Sequence, residues 1–255
     1  MKAIIQHEGK TFSVNLNEAI DISIPMVGRS TNVNAWYATH PVIEPVVDED
    51  FVISVTNGSS VNFNRIEFIP HAHGTHTECV GHITEDVFSI NQHLKQFFFI
   101  AEVITVAPGR LEDDYVISRK QVEMLLKGKR PEALVIRTIP NTLEKCAMQY
   151  SHTNPPYLAG EAAKYLCDIG VKHLLIDLPS IDKEKDEGRL EAHNAFWNTQ
   201  GKVRMEATIT EFIFVPNSVT DGSYLLNLQI APFENDASPS KPILYKIETT
   251  DKSSD

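Results

Sequence analysis

Ala133-Leu-Val-Ile-Arg137, a helix-spaced stretch over 158–169, and Leu174-Leu-Ile-Asp-Leu178 are the three runs that decide the fold class. The first and third are short and apolar with no polar alternation, as in strands covered on both faces. Between them Ala162, Ala163 and Leu166 recur at helical spacing, and Gly170 supplies a C-terminal cap. Strand, helix and strand in one sheet form a crossover, which is right-handed and joins parallel strands. A parallel sheet carrying helices is therefore expected here.

Working outward, 97–106 reads as another buried strand, aromatic and β-branched, with Phe97, Phe98 and Phe99 assigned to the core. Ser118 caps a helix running to about Leu126, and Gly128 ends it. Residues 2–6 and 11–16 form a hairpin through Gly9, and 207–215 and 224–231 are strands. A second strand pair, 51–56 with 61–68, is expected around Asn57-Gly58. Residues 28–50 show no periodicity and read as a long surface loop, a common place for function. The polar tail 249–255 is expected to fray. There is no internal repeat and no linker. The expectation is a single mixed α/β domain over 1–248, strand-rich with a few helices.

A chain of 255 residues with 42% hydrophobic content can bury a sizeable core. Its 34 Asp and Glu against 23 Lys and Arg leave a net charge of -11, which repels nucleic acid and anionic membranes. Cys79, Cys146 and Cys167 are too scattered for a disulfide framework and form no CxxC pair. The N-terminus lacks a signal-type apolar core, and Glu102 interrupts the most apolar run. A cytoplasmic location is expected.

Chemistry concentrates in His71-Ala-His-Gly-Thr-His-Thr-Glu-Cys-Val-Gly-His82, which holds four of the ten histidines. A neutral imidazole offers a lone pair to zinc, manganese or iron near neutral pH. In an extended chain His76 and Glu78 face the same side and can reach one ion. Gly74 permits a tight turn that folds an earlier histidine back to the same point. The flanks Phe68-Ile-Pro and Val80-Gly-His-Ile are apolar, so the segment is partly buried, where unpartnered histidines are costly. A metal site accounts for all of this. Trp36 and Tyr37, in the long loop, are candidates for an aromatic wall against a planar substrate.

At these residues the chain resembles the cyclase family of metal-dependent hydrolases, which includes bacterial kynurenine formamidase and isatin hydrolase. The family motif is His-x-Gly-Thr-His-x-Asp-x-Pro-x-His, and Gly74-Thr75-His76-x-Glu78 with His82 falls into register. Asp21-Ile-Ser-Ile-Pro25, Leu134-Val-Ile-Arg-Thr138, Gly160-Glu-Ala-Ala, Ile176-Asp-Leu-Pro-Ser-Ile-Asp182, Glu191-Ala-His193 and Ile209-Thr-Glu-Phe212 extend the resemblance over about 20–230. It implies the swivelling β/β/α fold of that family. It also implies one or two divalent ions, zinc or manganese, held by His71 or His73, by His76, by a bridging Glu78, and by His193 and Glu211. Glu206 rivals Glu211. Strict register places Ala72 at the first ligand, and His71 is favoured over His73 to replace it.

The implied reaction is hydrolysis of an amide, formamide or cyclic amide by hydroxide formed from metal-bound water, with His82 as general base and then general acid. Arg137 and Asp182 are assigned supporting or structural roles. A small-molecule substrate and a homo-oligomer, dimer or tetramer, complete the implication. The sequence departs from the motif in Glu78 for Asp, Val80 for Pro and the displaced first histidine. Two alternatives stand beside the amide reading. One is a hydrolase of cyclic esters or other carbonyl substrates. The other is a metal-binding protein that has lost catalysis.

Overall fold

In the computed structural model, which describes residues 1–49 and 51–249, the first decisive run is the strand Ala133–Thr138 and the last is His173–Ile176. They pair in parallel, and every residue of both is buried. Between them the helix Gly160–Asp168 buries Ala162, Ala163 and Leu166. Alternation along the strands builds two cores. Leu134, Ile136, Leu174 and Ile176 meet Val122, Leu166 and Phe196 of the helical layer. Ala133, Val135 and Leu175 meet Val103, Leu226 and Leu244 on the other side. Continuous apolar runs are the signature of this two-sided burial.

Phe98–Val106 lies parallel beside Ala133–Thr138, and Thr208–Glu211 lies parallel beside His173–Ile176. From these four strands the sheet continues antiparallel both ways. Beyond Phe98–Val106 come Gly222–Asn227, Ile243–Thr249 and the hairpin of Lys2–His7 with Lys10–Asn15. Beyond Thr208–Glu211 come His76–Glu78 and then Ala237–Pro239. With Ile20–Asp21 paired to Ile243–Thr249, the result is an eleven-stranded sheet. The helices Arg119–Leu126, Gly160–Asp168 and Glu191–Trp197 contribute to the first core. Ser118 starts the first of them with a capping box: its hydroxyl accepts the Gln121 N–H while Gln121 accepts the Ser118 N–H. Lys127 and Gly128, both at positive φ, end it.

Several expectations need correction. Residues 51–56 and 61–68 form no ladder with each other and share a single backbone–backbone bond, from the Phe63 N–H to the Ile53 carbonyl. Asn57-Gly58 instead closes a short 3-10 helix, Val55–Asn57, with Gly58 at φ 90. The strands pair outward, Val42–Pro45 with Asn64–Glu67 and Val47–Asp48 with Phe51–Val52, so the stretch 28–50 is in part a ribbon. Pro45 interrupts the apolar pattern there and hid those strands. Of the three phenylalanines only Phe99 is core; Phe97 and Phe98 are exposed. The 207–215 strand stops at Glu211, because Phe212 turns to φ 54 and leaves the ladder. The tail expected to fray lies, beyond Thr249, outside the described residues. No helix among the described residues is long and apolar enough to cross a membrane.

One histidine sits in the parallel part of the sheet. His173 is buried, its Nδ1 lies 2.9 Å from the Thr208 hydroxyl, and its ring packs against Phe99. Burial, with Lys172 and Arg204 nearby, pushes its pKa down from 6.5 to about 3. The folded protein therefore refuses a proton that the unfolded chain accepts below 6.5. Stability from this group is intact above that pH and falls on acidification toward about 3, by ~1.4 kcal/mol per pH unit for one proton. In urea unfolding followed against pH, His173→Gln is expected to flatten the acid limb by about that slope. An unchanged slope overturns the assignment.

Candidate metal centre

The histidine-rich segment opens with a single helical turn, Pro70–His73, with Pro70 at its start. Residues two apart on a helix point about 200° from one another, so His71 and His73 diverge. His73 is buried; its Nδ1 accepts the Ile69 N–H and its Nε2 lies 2.6 Å from the Thr39 carbonyl, away from His71, His76 and His82. His71 turns inward, its Nδ1 3.0 Å from Glu78 Oε2. This turn, rather than Gly74, reverses the chain, for Gly74 is close to fully extended at φ 159, ψ -170. Thr75 stitches the segment in place, its hydroxyl accepting the Ile24 N–H and donating to the Phe212 carbonyl.

The strand His76–Glu78 follows, fully buried, and alternation brings both side chains to one side. Its register sets His76 opposite Glu211. His193 arrives from the helix Glu191–Trp197. Asp182 accepts the backbone N–H groups of Ala192 and His193 and lies 2.6 Å from His193 Nδ1. Glu78 is the hub. Its Oε1 lies 3.0 Å from His193 Nε2, and its Oε2 lies 3.8 Å from His82 Nε2 and 4.0 Å from His76 Nε2. Glu211 closes the ring, 3.5 Å from His76 Nε2 and 3.8 Å from His193 Nε2, while its Oε1 accepts the Ile181 N–H.

The structure thus brings together His71, His76, Glu78, His82, His193 and Glu211. Glu206 is exposed and lies apart, beside His93 and His173. Arg137 sits elsewhere, bonded to Thr105, Asp221 and the carbonyls of Pro216 and Val219. One carboxylate joins the group unforeseen. Asp236 is 2.7 Å from His71 Nε2 and 3.5 Å from His82 Nδ1. In sequence it reads as part of a polar turn. It reaches the site because Ala237–Pro239 pairs with His76–Glu78, and the Cys79 N–H donates to the Asp236 carbonyl.

The electrostatics call for cations. Burial alone would raise the Glu78 carboxyl, but the histidines around it hold it well below its ordinary value. Burial alone would push His193 down; Asp182 and Glu78 reverse this and raise it to about 10. His71 also overcomes burial, raised to about 10 by Asp236 and Glu78. One buried nitrogen at the centre, His76 Nε2, nonetheless lacks any hydrogen-bond partner. His76 Nδ1 faces the Gly74 carbonyl at 3.0 Å, so the hydrogen-bond network assigns its proton there and leaves the Nε2 lone pair aimed at the two glutamates. Imidazole nitrogens and carboxylate oxygens converging on one buried point fit a divalent cation, which would take the place of the protons now held there. His71, His76 and Glu78 form one group able to hold an ion, and Glu78, His82 and His193 another.

A cavity of about 450 Å³ opens onto this centre. Trp36, Ala38, Ile69 and Leu190 give it apolar walls, and His71, His82, His193 and Glu211 line its floor. Trp36 is anchored by its indole N–H, which donates to the His71 carbonyl at 3.1 Å. Tyr37 does not line the cavity. It is exposed, and its hydroxyl donates to Glu184 at 2.8 Å.

Residues 20–183 match the model of the family described as putative cyclase. The chain belongs to this cyclase family. A kynurenine formamidase from Bacillus cytotoxicus is 28% identical over 246 residues, spanning 91% of this chain and 99% of that protein. Among solved structures, a potential metal-dependent hydrolase with cyclase activity superposes with a TM-score of 0.63 at 17% identity, covering 90% of this chain and 98% of the other. An isatin hydrolase bound to the product analogue thioisatinate gives 0.62 at 15%, covering 91% and 93%. The cyclase fold anticipated from the sequence is the fold observed.

An ion taken up among these groups would displace the protons that His71 and His193 carry toward Glu78. Affinity should therefore rise with pH until those imidazoles, near 10, have titrated. Calorimetric zinc titrations at pH 7.5 in buffers of different ionisation enthalpy should show about two protons released on loading. Release of none would contradict the protonation pattern.

Proposed function

We propose that this cyclase is a metal-dependent hydrolase that cleaves an amide, formamide or cyclic amide of a small molecule at a C–N bond other than a peptide bond. The observation that carries the reading is the unpartnered, buried His76 Nε2 inside a ring of imidazoles and carboxylates at the base of a cavity. Kinship with a kynurenine formamidase and likeness to an isatin hydrolase support the C–N chemistry. Nothing observed favours a cyclic ester. The inward position of His71 removes the main reason for a protein that binds metal without turnover.

Zinc or manganese ions, when bound, supply an acidified water and an electrophile for the substrate carbonyl. His71, His76 and Glu78 would hold one ion and His193 and Glu211 a second, with Glu78 shared. His82, exposed on the cavity floor with its Nε2 toward Glu78, takes a proton from the attacking water and returns it to the departing nitrogen. Trp36, Ile69 and Leu190 exclude water and pack a planar group. Asp182 fixes the His193 ring with Nε2 inward.

His76→Ala should lose both metal, by elemental analysis, and turnover of formanilides or cyclic amides. His82→Ala should keep its metal and lose on the order of 10²–10⁴ in kcat. A His82→Ala protein with ordinary turnover removes its assigned role, and a metal-replete wild type inactive on every such amide removes the reaction.

We also infer a cytoplasmic homo-oligomer. The ribbon between 42 and 69 exposes Val47, Phe51, Val55, Val61, Phe63 and Ile66, each by more than half. Two-stranded ribbons are barely stable alone, and an apolar surface of this kind marks an interface. A second copy is always at hand to cover it. Sedimentation should show a dimer or tetramer that Phe51→Ser with Phe63→Ser shifts toward monomer. A wild-type monomer overturns the inference.

A further inference from the structure

Asp236 lies outside the expected ligand set, yet its geometry is specific. The rings of His71 and His82 stack with centroids 4.1 Å apart and planes 28° apart. Each ring turns one nitrogen toward Glu78, His71 Nδ1 at 3.0 Å and His82 Nε2 at 3.8 Å from Oε2. Each turns its other nitrogen toward the same oxygen of Asp236, His71 Nε2 at 2.7 Å and His82 Nδ1 at 3.5 Å. Two parallel imidazoles thus span the gap between an inner and an outer carboxylate. The inner one is wholly buried, whereas the outer one is about a quarter exposed. Asp236 does not line the cavity, so the histidines stand between it and any substrate.

We propose that Asp236 is a positioning residue that fixes the tautomers of both His71 and His82, and so couples the metal ligand to the proton carrier. The proposal rests on the hydrolase reading above. An imidazole that donates from one nitrogen must present a lone pair at the other. By accepting from His71 Nε2–H, Asp236 leaves the Nδ1 lone pair facing the metal position. By facing His82 Nδ1–H, it leaves the Nε2 lone pair free on the Glu78 side, toward the metal position. During turnover a proton passes from the attacking water to His82 Nε2 and then to the departing nitrogen. Asp236 remains ionised throughout and stabilises the imidazolium that forms between the two transfers.

The location fits the task. Asp236 immediately precedes the strand Ala237–Pro239, and its own carbonyl accepts the Cys79 N–H at 3.0 Å. The carboxylate therefore stands on rigid backbone paired directly to the strand that carries His76 and Glu78. Replacing its side chain leaves that backbone bond intact.

The test uses zinc-loaded full-length protein, wild type, Asp236→Asn and Asp236→Glu. Two readouts do not depend on turnover: zinc affinity by competition with a chromogenic chelator, and the ring-nitrogen NMR shifts of His71 and His82. In the wild type the proton is expected on His71 Nε2 and His82 Nδ1. Asp236→Asn should weaken zinc binding about 10–100-fold, disturb both ring patterns and move the pH profile of kcat, while Asp236→Glu restores part of each. Ring-nitrogen shifts and zinc affinity unchanged in Asp236→Asn overturn the proposal while leaving the hydrolase reading standing. A wild type that takes up no zinc or manganese overturns both.

Discussion

Glu78 sits in a buried strand near the edge of the sheet with none of its side chain exposed. A carboxylate there must be met by positive charge or protonated, since burying it unpaired costs several kcal/mol. Much of the site's construction answers that requirement. His193 reaches it from a helix, His71 from a single helical turn, His76 from its own strand and His82 from the segment that follows. Without an ion His71 and His193 meet the demand by holding protons, both raised to about 10. Such an arrangement exchanges protons for a cation readily, because the same nitrogens and oxygens serve both.

The sheet makes that convergence possible. Four parallel strands, covered on both faces, form a stiff floor whose packing tolerates little movement. The functional strands join that floor at one side: Thr208–Glu211 as its last parallel member, then His76–Glu78, then Ala237–Pro239. Backbone pairing holds their side chains in register, so His76 faces Glu211 and Asp236 reaches the histidines. Around them lie carboxylates that hold rings by their outer nitrogens, Asp182 for His193 and Asp236 for His71. Orientation of this kind decides which lone pair points inward, and thus whether a histidine can be a ligand at all.

The glutamate at position 78 and the first histidine both depart from the family motif. A side chain one methylene longer carries its carboxylate further, and a helical turn at Pro70–His73 swings the neighbouring histidine to meet it. Residues two apart on that turn face opposite ways, which separates the inward His71 from the buried His73. The displacement of the first histidine to position 71 is therefore accommodated by a turn of helix. The apolar ribbon at 42–69 rises from the same region, with Ile69 both exposed and lining the cavity.

What the sequence by itself determined is whatever depends on local pattern. Apolar runs at 133–138 and 173–176, the Ser118 cap, Gly9 in its hairpin and the helix ending before Gly170 each carry their signal within a few residues. His76 and Glu78 were legible for the same reason, since alternation in one short strand brings both to one side. His193 and Glu211 entered only through likeness to a family, because nothing local distinguishes them from surface residues. Asp236 gave no signal at all: it looks like any acidic residue in a polar turn. The partners of residues 51–56 and 61–68 were misread because a strand's hydrogen bonds are satisfied by whichever neighbour the fold supplies. Only the tertiary structure decided these, since they depend on strands distant in sequence being brought side by side, and on one buried charge that all of them had to satisfy.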